Sequence, residues 1–383
     1  NTLYKLKRYQ DALLAYNYAL CFDANFIAAL LGKGFTLWKL KQPEAALAAY
    51  ERVVQLDSTQ VAAHNGMGYA LYAMKQDEAA LIAFENAQRL DPSDVVVMTN
   101  VGYALYRLRR YDAALRTFRA ALDLLPGYAP AHYGRGQILE ELQQPNEALQ
   151  AYQDATHGDR RYQAAWREQG HVLYTLAYYE EALAAYEQAL RLAPNCSRSH
   201  RGYGDTLLAL GRYEAALIAY VHALEYGPAD AWTCNAKGNA LYKLSRYEQA
   251  LSAYQRAIRL DADVPIFHYN RGIVLGHLNR HEEALRAYEH CVSLDASDAY
   301  AHNSMGNTLY RLGRYQRALA AYNQAIALRD DEPIFHANRA DVLTFLEDYN
   351  EALVAYDAAL TLAPDDAQVV AHREHVLSLL RAS

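Results

Sequence analysis

Five histidines, His64, His132, His200, His268 and His336, stand at intervals of 68 residues. Imidazole is a common metal ligand, so this regularity first raises a metal site. His372, Glu374 and His375 near the carboxy end pose the same question, as do four cysteines, Cys21, Cys196, Cys234 and Cys291. The stretches GKG (32–34), GMG (66–68), GRG (134–136) and GYG (202–204) have the glycine content of a phosphate loop. Other residues suit recognition instead. Trp38–Lys39, Tyr106–Arg107, Tyr242–Lys243 and Tyr310–Arg311 each set an aromatic ring beside a cation. Asn235, Asn239, Asn270, Asn303, Asn307 and Asn338 offer amides that both donate and accept, as a bound peptide backbone requires.

The elements that carry these residues repeat. Ala12, Ala46, Ala80, Ala114, Ala148, Ala182, Ala216, Ala250, Ala284, Ala318 and Ala352 form a column with a period of 34. Leu follows each, and Tyr or Phe stands four places after each. A second column is Leu throughout, from Leu3 to Leu343, and nine of its members have Gly three residues earlier. Numbering the repeat 1–34 puts residue 1 at position 9, ten full repeats at 27–366 and a remainder at 367–383 that reads as a closing helix. Residues 1–26 are then a first repeat lacking the start of its first helix. Apolar residues at 4, 7 or 8, 11 and 14, then at 20, 21, 24, 27, 28 and 30, predict two helices per repeat. Gly at 8 and Ala at 20 are small enough to be where those helices cross. Pro at 32 in five repeats stops the second helix. In repeat five, Gly158 replaces the closing Leu and predicts an early helix end with a bend.

A layer with twice that period lies on top. PIFHYNRG at 265–272 returns as PIFHANRA at 333–340, and position 4 is His in every odd repeat from the third. In even repeats it is Leu30, Met98, Trp166, Cys234 and then His302. Growth by duplication of a two-repeat block accounts for this.

The A-x3-F and L-G-x2-Y patterns, in register along the whole chain, resemble the tetratricopeptide repeat family. The resemblance implies an all-α fold, an α-solenoid of tandem helix–turn–helix repeats wound into a right-handed superhelix. It also implies a concave groove lined by positions 2, 5, 6, 9, 12 and 13 that binds a protein or peptide. On this chain that surface starts aromatic (Phe35, Trp38, Tyr69, Tyr72, Tyr103, Tyr106) and becomes charged in the middle (Glu140, Glu141, Arg167, Glu168, Arg201). It ends in amides and tyrosines with cations beside them. The groove residues expected to meet a partner are Trp38, Tyr72, Tyr106, Arg107, Arg167, Arg201, Asn235, Asn239, Tyr242, Lys243, Tyr269, Asn270, Asn303, Asn307, Tyr310, Arg311 and Asn338. Members with an asparagine ladder carry it at position 6, kept here at Asn100, Asn270 and Asn338. Members that clamp acidic tails need Lys at 5 and Arg at 6, and both are missing.

Set on this scaffold, the catalytic readings fade. Position-4 residues of successive repeats lie a helix-packing distance apart, about 8–10 Å, whereas a metal–nitrogen bond is about 2.0 Å. The Gly-x-Gly stretches fall inside first helices, and no nucleophile–base pair stands out, so neither an enzyme nor a bound cofactor or metal is expected. With 52% apolar residues the chain should fold, and its net charge of −7 disfavours nucleic acid. No apolar run approaches the length of a membrane span. The scattered cysteines suit a reducing compartment, so the cytoplasm is expected. Two other readings stand beside the scaffold. The chain begins inside a helix, so it could be the recruiting arm of a larger enzyme, and the resemblance includes arrays fused to kinases and glycosyltransferases. The array could also self-associate.

Overall fold

The computed structural model describes residues 2–382. Each full repeat forms a first helix over positions 1–13 and a second over 17–30, as in Ile27–Lys39 with Pro43–Leu56. The helices are grouped in two compact units, one up to Ala193 and one from Pro194 onward. Within each unit the first helix of a repeat packs on its own second helix, which packs on the next first helix. No helix among the described residues is long and apolar enough to cross a membrane.

The turn inside each repeat has one recurrent geometry. Position 15 adopts a left-handed backbone, φ 61° at Lys41 and at Ala177 and 71° at Gly211 and Gly313. This lets the amide of Gln42 reach the Leu37 carbonyl at 3.0 Å and that of Lys41 reach the Trp38 carbonyl at 3.1 Å. The last carbonyls of the first helix are thereby satisfied and the chain reverses within a few residues.

Glycine and the aromatic column explain each other. A Cβ on Gly34 would stand 2.5 Å from the Tyr50 ring, and one on Gly66, in the following repeat, 2.5 Å from the same ring. Phe118 is held likewise between Gly102 and Gly134, at 2.5 and 2.4 Å. In these repeats the ring at 24 is thus clamped between position 8 of its own repeat and position 6 of the next. The alanines at 20 are buried alongside, and what a Cβ on the glycine would meet first is the ring.

Position 4 has an equally local explanation. The Nε2–H of His64 donates to the Ser58 carbonyl at 3.0 Å, and His132 donates to Pro126 at 2.8 Å. His200, His268, His302 and His336 repeat this bond to the carbonyl six residues earlier, at 2.7, 2.9, 3.2 and 2.9 Å. Trp166 makes it through its indole N–H, to Arg160 at 3.1 Å. The periodic histidines pin the loop between repeats to the next first helix.

The early helix end expected at Gly158 does not occur, because Pro145–Gly158 has the same 14 residues as its counterparts. A Cβ on Gly158 would lie 2.2 Å from the Gly127 carbonyl oxygen, so glycine serves a close backbone approach. At the carboxy end, helix Ala367–Ala382 buries Val369 and Val376 in a cluster with Leu343, Tyr356 and Ala359.

Candidate functional site

In the first unit an open cavity of about 720 Å³ lies along the first helices, with Pro43 and Phe84 of second helices also in its lining. Trp38, Tyr69, Tyr72, Tyr103, Tyr133 and Tyr162 line it, and Lys41 is the one charged residue of the lining. The rings brace one another. Trp38 lies 5.5 Å from Tyr69, Tyr69 stands edge-on to Phe84 at 5.5 Å, and Tyr133 stands edge-on to Tyr162 at 5.3 Å. Two hydroxyls are anchored: Tyr103 donates to the Pro130 carbonyl at 2.7 Å, and Tyr69 donates to Asn100 Oδ1 at 3.1 Å. Burial raises the phenol pKa of Tyr69, Tyr72, Tyr103, Tyr133 and Tyr162, so all five stay neutral donors. Rigid rings with a few fixed polar atoms in a volume of this size have the make-up of a ligand pocket.

Of the expected groove residues, Trp38 and Tyr72 line this cavity, and Tyr106 lines a neighbouring one. Tyr133 at position 5 and Tyr162 at position 34 were missed. Tyr162 sits in the loop that leads into a first helix, outside any rule built on first-helix positions. Phe35 lies outside this lining; it is exposed and stands edge-on to Tyr50 at 5.6 Å, the contact Tyr69 makes with Phe84.

The aromatic–cation rungs differ from expectation. Lys39 Nζ does lie over Trp38, 4.4 Å from its ring. Arg107 does not pair with Tyr106. Its guanidinium stacks 4.2 Å over Tyr72 of the preceding repeat, donates to the Tyr72 carbonyl at 2.8 Å and pairs with Asp77 at 3.0 Å. Position 13 of one repeat lies beside position 12 of the previous one. The same offset joins the Tyr242 hydroxyl to His277 Nε2 at 3.0 Å and packs Tyr310 on Phe345 at 5.2 Å. Lys243 and Arg311 are exposed. Arg167 bonds Glu168, and Arg201 lies 3.5 Å from Asp230, so both are already partnered.

The asparagines are also engaged. Asn270 Nδ2 donates to Asn235 Oδ1 at 3.0 Å, Asn338 to Asn303 at 2.9 Å, and Asn100 to Asn65 at 2.9 Å. Asn239 and Asn307 accept from the clamped Tyr254 and Tyr322 hydroxyls at 2.8 and 2.6 Å. Much of the amide ladder is therefore internal, and Asn235 and Asn303 are buried. Tyr269 packs on Tyr288 at 5.8 Å. In the second unit smaller cavities open beside these residues, about 300 Å³ at Asn239, Tyr242, Lys243 and Asn270, and about 420 Å³ at Asn307 and Arg311. Burial pushes the Cys291 thiol up to about 12, which makes it a core group.

Family comparison agrees with this construction. One model described as tetratricopeptide repeat matches 31–95, 101–165 and 167–231. A second, described as TPR repeat, matches 238–278 and 306–344, and a third, again tetratricopeptide repeat, matches 267–298 and 335–366. A search of curated proteins found no match. Among solved structures, the Cut9–Hcn1 hetero-tetramer of APC/C aligns over 98% of this chain and 94% of that one, at 12% identity and a TM-score of 0.51. YrrB, a TPR protein with an unusual peptide-binding site, covers 49% of this chain and 96% of its own, at 23% identity and a TM-score of 0.44. MamA from Desulfovibrio magneticus RS-1 covers 45% and 97%, at 23% identity and a TM-score of 0.43. At such identities the likeness is one of fold. The repeat period, the helix pair in every full repeat and family models matching from 31 to 366 lead to one conclusion: the chain belongs to the tetratricopeptide repeat family.

Proposed function

We propose that this chain is a non-enzymatic scaffold that holds an extended segment of a protein partner against the aromatic cavity of its first unit. The observation that carries this is the 720 Å³ space walled by seven aromatic side chains, Phe84 among them, in a molecule whose other recognition residues mostly satisfy one another. Rings already packed against neighbours lose little entropy when a partner arrives, which is why tyrosine and tryptophan serve as binding anchors. A net charge of −7 favours protein over nucleic acid as the partner, and the buried thiol of Cys291 suits a reducing compartment such as the cytoplasm. Binding of the intact chain to a synthetic peptide array tests the reading. Trp38→Ala with Tyr72→Ala should abolish the captured set while leaving the circular dichroism spectrum intact. Capture unchanged in that double variant would sink it.

A further inference from the structure

The aromatic cavity does not end in solvent at every side. Tyr133, on its wall, has its ring 5.7 Å from that of Tyr152, which lines a second cavity of about 500 Å³. That second chamber is walled by Tyr106, Gln137, Glu140, Glu141 and Glu168. The two compartments are linked through that ring pair and differ in charge. Lys41 is the charged group of the first, with Lys39 nearby over Trp38, while the second presents three carboxylates.

Those carboxylates are not equally served. Glu168 is bonded by Arg167, and Glu141 lies 3.8 Å from the Arg109 guanidinium. Glu140 accepts from the neutral Tyr152 hydroxyl, and the basic group that acts on it is the exposed His171. Burial raises its carboxyl pKa, which is the cost of holding an anion there without a close cation. A guanidinium brought by a partner would remove that cost with a charge-assisted hydrogen bond.

We propose that the segment this unit binds carries an aromatic side chain followed closely by an arginine. The aromatic ring enters the tyrosine-lined chamber, and the arginine reaches past the partly buried Tyr133 to Glu140. The proposal rests on the groove reading above and adds the chemistry of the occupant. Two charges of opposite sign at the two ends give the site a direction, since a cation on the Lys41 side is repelled. Extended chain advances about 3.3–3.6 Å per residue, so two residues match the 5.7 Å between the Tyr133 and Tyr152 rings, one lining each chamber.

The test uses fluorescence anisotropy with the full chain and three labelled peptides. Each has one phenylalanine in a Gly/Ser background, with arginine, citrulline or glutamate two residues away. The arginine peptide should bind about tenfold more tightly than the citrulline one, and the glutamate peptide more weakly than both. Glu140→Gln should erase the arginine advantage without altering citrulline-peptide binding, while Trp38→Ala weakens all three. Equal binding of the three peptides to the unaltered chain, lost in Trp38→Ala, would overturn the arginine assignment but leave the groove reading standing. No binding of any of the three, with array peptides captured elsewhere on the molecule, would overturn both.

Discussion

Gly66→Ala should destabilise the protein although alanine is the better helix former. In an unconstrained helix the exchange gains about 1 kcal/mol. Here the added Cβ would stand 2.5 Å from Cζ of Tyr50 and 2.6 Å from Cε1, about 1 Å inside ordinary carbon contact. The ring has little room to retreat, because it is buried and its other side lies against Gly34, where an added Cβ would stand 2.5 Å from Cε1. Overpacking of this kind costs about 1–3 kcal/mol, which outweighs the propensity gain. Gly276→Ala supplies the control, since nothing lies within 4 Å of a Cβ there, so the same exchange should stabilise by up to about 1 kcal/mol. Urea unfolding followed by far-ultraviolet circular dichroism measures both, comparing midpoints because long arrays need not unfold in two states. In a Tyr50→Leu background, itself destabilised by the cavity it leaves, the further cost of Gly66→Ala should shrink or vanish, as the clash partner is gone. A midpoint for Gly66→Ala at or above that of the unaltered chain would refute the clamp.

Ala177→Gly should raise stability by about 1 kcal/mol in thermal or urea melts, because φ of 61° strains a residue with a Cβ. Asn100→Ala should cost about 1–3 kcal/mol, since it strips partners from both Asn65 and Tyr69; a neutral effect would place that amide outside the packed structure. The third expectation concerns pH. Burial holds the His268 imidazole below its ordinary 6.5, opposed by its bond to the Ala262 carbonyl and reinforced by His290 and Arg271. The folded state therefore binds the proton less readily than the unfolded one, so this contribution is complete above pH 6.5 and is lost as pH falls below it. Stability measured from pH 8 to pH 5 should fall less in His268→Gln than in the unaltered chain, and parallel curves would contradict the assignment.

The parts of the fold that repeat inside one helix pair were legible before any coordinates. Helix geometry ties apolar spacing to one face, so the columns at Ala12 and Leu3 determined where helices run, and the bounds follow them. What was not legible crosses from one repeat to the next. Arg107 reaches Tyr72, and Asn270 reaches Asn235, through an offset of 35 residues that arises from how neighbouring repeats stack. Nothing in a single repeat records that offset, so Arg107 was paired with its own neighbour. Tyr162 was missed for a related reason, because its loop is carried to the cavity by packing. Gly158 shows the opposite error: a residue read as a helix breaker is there because a backbone passes close by.

The claim that the aromatic cavity is the binding site is tested most directly by fluorine NMR on chain labelled with 5-fluorotryptophan. The chain holds three tryptophans, and they report different places: Trp38 in the cavity wall, Trp166 pinned to the Arg160 carbonyl, and Trp232 exposed in the second unit. Titration with an array-selected peptide should move the Trp38 resonance, assigned through Trp38→Phe, and leave that of Trp232 in place. A peptide that binds, shifts Trp232 and leaves Trp38 unmoved would contradict the account.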